Sequence, residues 1–274
     1  MRLLLFRSLW TNGLNLEAAL ADCETGLFDG VEGPIPADYA PLSGVPYIAE
    51  ITTGGSYVPT TRDAAKHLAD FQRKADASLR ANPIALTILA GCDAWPLTQS
   101  VDFFGRALEF AATLGVPVSF ETHRSRATFN PWITAELVRQ LPALRLTCDF
   151  SHWCCVCERL VLDEEPELLA LFAARAGHAH ARIGYDQGPQ VPHPLSPEYA
   201  GALEAHERWW DALWSAAVAT GAAQFTMTPE FGPDGYLHTL PFTGTPVASL
   251  DEINRWMATR QRERFAHAAL PAAA

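Results

Sequence analysis

Two short apolar runs, each ending in a burst of charge and imidazole, constrain this chain more than anything else in it. The first is Val116 to Phe120, followed by Glu121, His123 and Arg124; the second is Leu144 to Cys148, followed by Asp149 and His152. Each run has the length and apolar character of a buried strand, and Gly115 marks the start of the first. Pro117 lies near its strand's beginning, where the ladder tolerates the missing donor. Between the runs, Asn130-Pro131 supplies a helix cap and a first helical residue for a helix to about Gln140. In a strand–helix–strand unit the two strands are parallel. Both polar bursts therefore fall at the same edge of one sheet, where carboxylates and imidazoles in company read as a site.

The same alternation runs through the chain. Strands are expected at Arg2–Arg7, Phe28–Glu32, Tyr47–Ile51, Ile84–Leu89, the two runs above, His178–Ile183 and Gln224–Glu230. Helices are expected at Leu16–Thr25, Arg62–Arg80, Ser100–Leu114, Asp163–Ala176 and Glu198–Thr220. A last helix opens at Ser249, which forms a capping box with Glu252. The tail Pro271–Ala274 is expected to fray. Helix-to-strand connections are short and strand-to-helix connections long. Eight such alternations in 274 residues predict an α/β fold, a single (β/α)8 TIM barrel spanning 1–274, with its active site on the long-loop face. A doubly wound open sheet would carry a glycine-rich phosphate turn after the first strand; Ser8-Leu9-Trp10-Thr11-Asn12-Gly13 is not one.

In that barrel, strands five to eight end in Glu121, Asp149, His180 (or His178) and Glu230. Three carboxylates converging on one point repel each other unless a cation joins them. The donor set suits Mn²⁺, Mg²⁺, Co²⁺ or Fe²⁺, and Zn²⁺ also accepts it. His178, His180 and Arg182 alternate along strand seven and so share the barrel interior. His123 and Arg124 stand where a polyhydroxylated or anionic substrate would meet them. Trp10, Trp95 and Trp153 fall near strand-end loops, where aromatic rings stack on a sugar or pack the barrel mouth. Arg126 is read with Arg124 as either a substrate contact or a loop ion pair, and Tyr185–Gln190 as a candidate lid.

Composition narrows the field. The formal net charge of −11 opposes a nucleic-acid footprint, which needs a basic surface. No apolar run reaches the roughly 18 residues of a membrane span, and Arg2–Phe6 is too short for a secretory signal. Three of the six cysteines lie at 154, 155 and 157, too close to pair with one another. They read as small apolar residues in the start of a helix behind His152, and the chain as cytoplasmic. A homo-oligomer is compatible with all of this.

The motifs F-E-T-H-R, C-D-F-S-H-W, H-A-H-A-R and P-E-F-G, in this strand order, resemble the xylose isomerase-like superfamily. Within it the pattern is most similar to ketose 3-epimerases and sugar-phosphate isomerase/epimerase-like proteins. The resemblance implies one divalent metal ion on Glu121, Asp149, His180 and Glu230. It also implies that Glu121 and Glu230 form the catalytic acid/base pair and that His152 touches a substrate oxygen. Two departures stand out. The epimerases carry an arginine six residues beyond the histidine ligand, where this chain has Asp186, and Arg182 is out of that register. His123-Arg124-Ser125-Arg126 is no part of the epimerase pattern. The expected activity is isomerisation or epimerisation of a sugar or related hydroxy-carbonyl compound by proton transfer at carbon. A lyase or dehydratase on a keto-sugar or keto-glycoside would use the same carbanion. A metal-free glycoside hydrolase would use the two glutamates and leave Asp149 and His180 without a role. An apurinic-site endonuclease-like phosphodiesterase needs the basic groove this composition lacks.

Overall fold

The computed structural model describes residues 1–13, 15–233 and 235–268; the expected frayed tail lies outside them. Eight parallel strands close into a barrel in sequence order: β1 (Arg2–Ser8), β2 (Gly30–Gly33), β3 (Tyr47–Thr52), β4 (Ala85–Leu89), β5 (Val118–Glu121), β6 (Leu146–Cys148), β7 (Ala176–Ala181) and β8 (Gln224–Pro229). β8 pairs with β1 to complete the ring, Arg2 facing Gln224 and Leu5 facing Met227. The predicted (β/α)8 barrel is the fold observed.

The helices cover the outside: α1 (Leu16–Glu24), α2 (Ala64–Ser78), α3 (Leu97–Ala111), α4 (Pro131–Gln140), α5 (Ser151–Cys157), α6 (Val161–Glu164), α7 (Pro166–Ala173), α8 (Ala200–Ala219) and α9 (Leu250–His267). Their starts follow capping chemistry. Asn15, Asp63, Asn130 and Ser249 each accept a backbone N–H from the first turn of the helix that follows, the arrangement that satisfies an otherwise orphaned donor. Between β2 and β3 a single 3₁₀ turn, Ala40–Leu42, stands where a barrel helix would be.

Of the boundaries that differ from the sequence reading, three have a local cause. The helix expected over 163–176 is two helices, because Pro166 begins α7 and cannot donate to the turn before it. β2 begins at Gly30, two residues later than expected. Asp29 turns aside to accept the Leu5 N–H and to pair with Arg262. β7 begins at Ala176, which pairs with Leu146; the register then shifts, leaving Gly177 unpaired before His178 pairs with Thr147. The cysteine run forms α5 as expected, with Cys154 buried and all six cysteines free.

The barrel interior changes character along its axis, and this positions the site. At one end Leu4, Phe6 and Ile48 pack together with Ile84 and Ala85 against them. Above them the inward positions are hydroxylated or charged instead of branched aliphatic. Thr87 and Ser119 both hydrogen-bond Thr147, and Thr226 and Thr228 bond His178. A buried hydroxyl is tolerated only with a partner, so these residues form chains across the barrel. They lead up to the carboxylates at the C-terminal ends of the strands.

Candidate metal centre and cavity

Glu121, Asp149, His180 and Glu230 come together at that end, with ligand atoms all within 4.8 Å of one another. All four are buried. Each owes its place to one strand end. Glu121 closes β5, and its carbonyl accepts the Thr128 hydroxyl at 2.5 Å. Asp149 follows β6, its N–H on Thr122 Oγ1 at 2.8 Å and its Oδ1 held by the Ser151 N–H and hydroxyl. His180 points inward from β7, and Glu230 follows β8.

The orientation of His180 carries the most information. Its Nε2 lies 3.1 Å from Glu32 Oε1, while Glu32 Oε2 lies 3.0 Å from His178 Nε2 and also accepts from Thr228. Burial would raise the Glu32 carboxyl, but the two imidazoles hold it well below the usual range. A charged Glu32 takes the Nε2 proton of His180 as a hydrogen bond, which turns Nδ1 toward the cluster; burial would lower this imidazole, but Glu230, Glu32 and Glu121 hold it well above its ordinary pKa, so a cation at Nδ1 would displace a proton. That Nδ1 is buried without a hydrogen-bond partner, 3.5 Å from Glu121 Oε1 and 3.1 Å from Glu230 Oε2. An imidazole fixed from behind by a carboxylate, with its free nitrogen aimed at other carboxylates, is the arrangement metal-binding histidines adopt. The residues present therefore fit a divalent cation. His178 lies beneath, bonded to Glu32, Thr226 and Thr228, and is not among the residues that line the cavity.

The electrostatics are those of crowded carboxylates. Burial pushes Glu121 up to about 7, with His180 opposing and Glu230 and Asp149 adding to the rise. Burial also raises Asp149, against the pull of Arg182. Arg182 is the buried cation of the group. It contacts Asp149 Oδ2, donates to Ser151 Oγ at 3.1 Å and to His152 Nε2 at 2.7 Å, and lies 3.5 Å from Glu230 Oε2. Its guanidinium sits over the rings of Tyr236 at 4.7 Å and Trp10 at 5.7 Å. Asp186, where the epimerases carry an arginine, is exposed, while Arg182 lines the cavity. Gly184, two residues on, meets the Ser151 carbonyl so closely that a Cβ would stand 2.3 Å from it.

A cavity of about 180 Å³ opens above the cluster. Glu121, His123, Arg182 and Glu230 line one side of it, and Trp10, Glu50, Tyr57, Leu89 and Tyr236 the other. His152 stacks against His123 at 3.9 Å between ring centroids, with its Nε2 4.0 Å from Glu121 Oε1. Burial and the neighbouring positive groups hold both imidazoles well below their ordinary pKa, so both are neutral. Arg124 stacks on Tyr236 at 4.9 Å and does not line the cavity.

Other expectations resolve as structure. Arg126 makes no loop ion pair; it is fully buried and donates to the carbonyls of Thr53, Ser56, Tyr57 and Gly91, tying the β3 and β4 loops to β5. Trp95 donates to the Arg62 carbonyl and packs on His67, and Trp153 donates to Thr128 and packs on Phe172. Of the three tryptophans, Trp10 alone lines the cavity, and Gly232 is required beside it, since a Cβ there would fall 2.0 Å from its ring. The 185–190 loop is pinned, with Gln190 exchanging two hydrogen bonds with Gly232; nothing marks it as a lid. Sequence reasoning missed Glu32 and Glu50, both carboxylates inside short apolar strands.

No family model matches the sequence, and no curated protein matches it either. Solved structures do match. The IOLI protein carrying a bound zinc atom is similar over 97% of this chain and 96% of its own, at TM-score 0.62 and 12% identity. Endonuclease IV from Thermus thermophilus is similar over 98% and 100%, at TM-score 0.61 and 13% identity. The 3-keto-D-glucoside 4-epimerase YcjR from E. coli is similar over 94% and 100%, at TM-score 0.58 and 12% identity. At these identities the likeness is one of fold, a closed (β/α)8 barrel that solved xylose isomerase domain proteins also share.

Proposed function

We propose that the chain is a divalent-metal-dependent isomerase or epimerase acting on a sugar or related hydroxy-carbonyl compound. The observation that carries this reading is the free, buried Nδ1 of His180, backed by Glu32 and facing Glu121, Asp149 and Glu230. These four residues would hold the cation, with Mn²⁺, Mg²⁺ or Co²⁺ suited to the donor set and Zn²⁺ or Fe²⁺ accepted by it. When bound, the cation supplies an electrophile for a carbonyl and its neighbouring hydroxyl.

The chain's own residues then have separate tasks. Glu121 and Glu230 flank the cluster from β5 and β8, so a substrate carbon between them has a carboxylate on either side. One removes the proton and the other returns it, which inverts or relocates a centre. Arg182, fixed by Asp149 and Ser151, presents its guanidinium edge to substrate oxygens and holds Glu230 nearby. His152, accepting from Arg182, stays neutral and packs His123 into the wall. Trp10, Tyr57 and Tyr236 offer apolar faces to a sugar ring. A cavity of about 180 Å³ is smaller than the roughly 300 Å³ of drug-sized sites and suits one monosaccharide unit. The epimerase neighbour, which acts on a 3-keto-D-glucoside, supports carbonyl chemistry on a sugar. The endonuclease neighbour does not favour a DNA substrate, given the −11 charge and an acidic site.

The test is incubation of metal-loaded protein with a panel of ketoses and keto-glycosides in D₂O. The expected result is deuterium beside the carbonyl of the true substrate, lost on chelation and in Glu121→Gln. Exchange accompanied by loss of water or of an aglycone would assign a lyase. Turnover that survives chelator without exchange at carbon would refute the proposal and favour a hydrolase.

A further inference from the structure

The metal donors all come from β5 to β8. The remaining arc of the cavity wall is built differently: Glu50 and Leu89 from β3 and β4, Tyr57 from the loop after β3, Trp10 after β1 and Tyr236 after β8. Glu50 is the one carboxylate on that arc among the described residues lining the cavity. It points inward, two residues beyond Ile48 of the barrel interior. It has no hydrogen-bond or ion-pair partner among the described residues, although the other carboxylates of the barrel mouth are engaged. A half-buried acid facing a cavity without a protein partner is a group kept for a ligand.

The cations nearby decide which ligand. Arg182 is bound to Asp149, Ser151 and His152 on the opposite wall. Arg126 is taken up by four backbone carbonyls, and Lys74 by Thr52. Arg124 stacks on Tyr236 and does not line the cavity. His123 gives its Nδ1 to the Arg124 carbonyl. The arc facing the metal donors therefore offers one carboxyl group, which burial and then Glu230, Glu121 and Glu32 push up to about 8, one leucine and three aromatic rings, with no cation. A phosphate or carboxylate on the far end of a substrate would meet Glu50 and find no counter-charge, and charged phosphate recognition needs cations or aligned N–H groups. A hydroxyl can donate to Glu50.

Building on the sugar reading above, we propose that Glu50 is a specificity-determining residue that accepts hydroxyl groups at the substrate end remote from the metal donors. It selects neutral, unphosphorylated sugars and rejects sugar phosphates and sugar acids.

The experiment is calorimetric titration of the Mn²⁺-loaded protein and of Glu50→Gln. The ligands are a panel of neutral ketoses and keto-glycosides, each paired with its terminal phosphate ester or uronate. Mn²⁺ affinity is measured in parallel for both proteins. The expected result is that the parent binds a neutral sugar about tenfold or more tighter than the paired anion. Glu50→Gln should weaken the neutral sugar about tenfold, close the gap to the anion, and keep Mn²⁺ affinity within about threefold. Equal or tighter binding of the anion by the parent would overturn the inference and leave the sugar reading standing. So would unchanged sugar binding by Glu50→Gln, or a loss of Mn²⁺ affinity that makes Glu50 a ligand. If no panel member binds either protein, the sugar reading itself falls, and this inference with it.

Discussion

Replacing Glu32 by glutamine tests how the site is built from beneath. Glu32 touches no ligand atom of a bound cation; it holds His180 through Nε2 at 3.1 Å and His178 through Nε2 at 3.0 Å. Glutamine keeps the shape. Its amide oxygen can still accept from His180, and its NH₂ can donate to His178 once that ring adopts its other tautomer against Thr226. The packing should therefore survive, while the negative charge that makes His180 a strong donor and fixes its Nδ1 toward the carboxylates is lost. Partners of metal-binding histidines contribute roughly 10–100-fold in affinity, or about 1.4–2.8 kcal/mol. The neutral amide keeps one hydrogen bond, so the lower half of that range is expected. Competition for Mn²⁺ or Zn²⁺ against a chromophoric chelator at fixed pH reads this directly, with Glu230→Gln as the variant that removes a donor outright. An affinity for Glu32→Gln within about twofold of the parent, alongside a clear loss in Glu230→Gln, would refute the idea that Glu32 orients His180.

Four further outcomes are expected. His206 is buried, with Nδ1 donating to the Ala202 carbonyl and Nε2 accepting from Gly184 N–H, and burial pushes it down to about 4. Since the unfolded imidazole titrates near 6.5, the unfolded chain binds a proton that the folded one refuses, and stability falls as pH drops from about 6.5 toward 4. The parent should lose about 2 kcal/mol more than His206→Gln between pH 6.5 and 4.5 in denaturant titrations; parallel curves would contradict this. Arg126→Met strands the carbonyls of Thr53, Ser56, Tyr57 and Gly91 and should cost about 3 kcal/mol in urea unfolding, with Arg126→Lys recovering only part of it because ammonium lacks the fork. Gly232→Ala forces the Trp10 ring to move, costing about 1–3 kcal/mol and altering Trp10 fluorescence; an unchanged spectrum and stability would place Trp10 elsewhere. Duplex DNA with an abasic site should show no salt-dependent submicromolar binding, as expected for a chain of charge −11.

The parts of the molecule written locally were legible in the sequence. A barrel strand buried on both faces reads as an apolar run, and its C-terminal polar burst survives any error of a residue or two at the boundary. Glu121, Asp149, His180 and Glu230 could thus be gathered before any coordinates. Asn130 and Ser249 behaved as caps because a cap acts within one turn. Pro166, which the sequence displays openly, should have split the 163–176 helix. What did not show were partnerships across the barrel. Nothing near Glu32 in sequence announces His178 and His180, and the Arg182–Asp149 contact depends on how β6 and β7 align. There was one unused signal. Glu50 in Tyr-Ile-Ala-Glu-Ile and Glu32 in Gly-Val-Glu-Gly each place a charge in a strand that must be buried. Such a charge is costly without a partner or a purpose, and both residues proved to face the site or support it.

The central claim is that one divalent cation sits among Glu121, Asp149, His180 and Glu230. Crystals grown without chelator and with Mn²⁺, measured at the manganese absorption edge, test it most directly. A single anomalous peak is expected within roughly 2.0–2.3 Å of a carboxylate oxygen of each acid and of His180 Nδ1, with Glu32 still on Nε2. No peak at the strand ends, or a peak on other residues with His180 turned to offer Nε2, would contradict it.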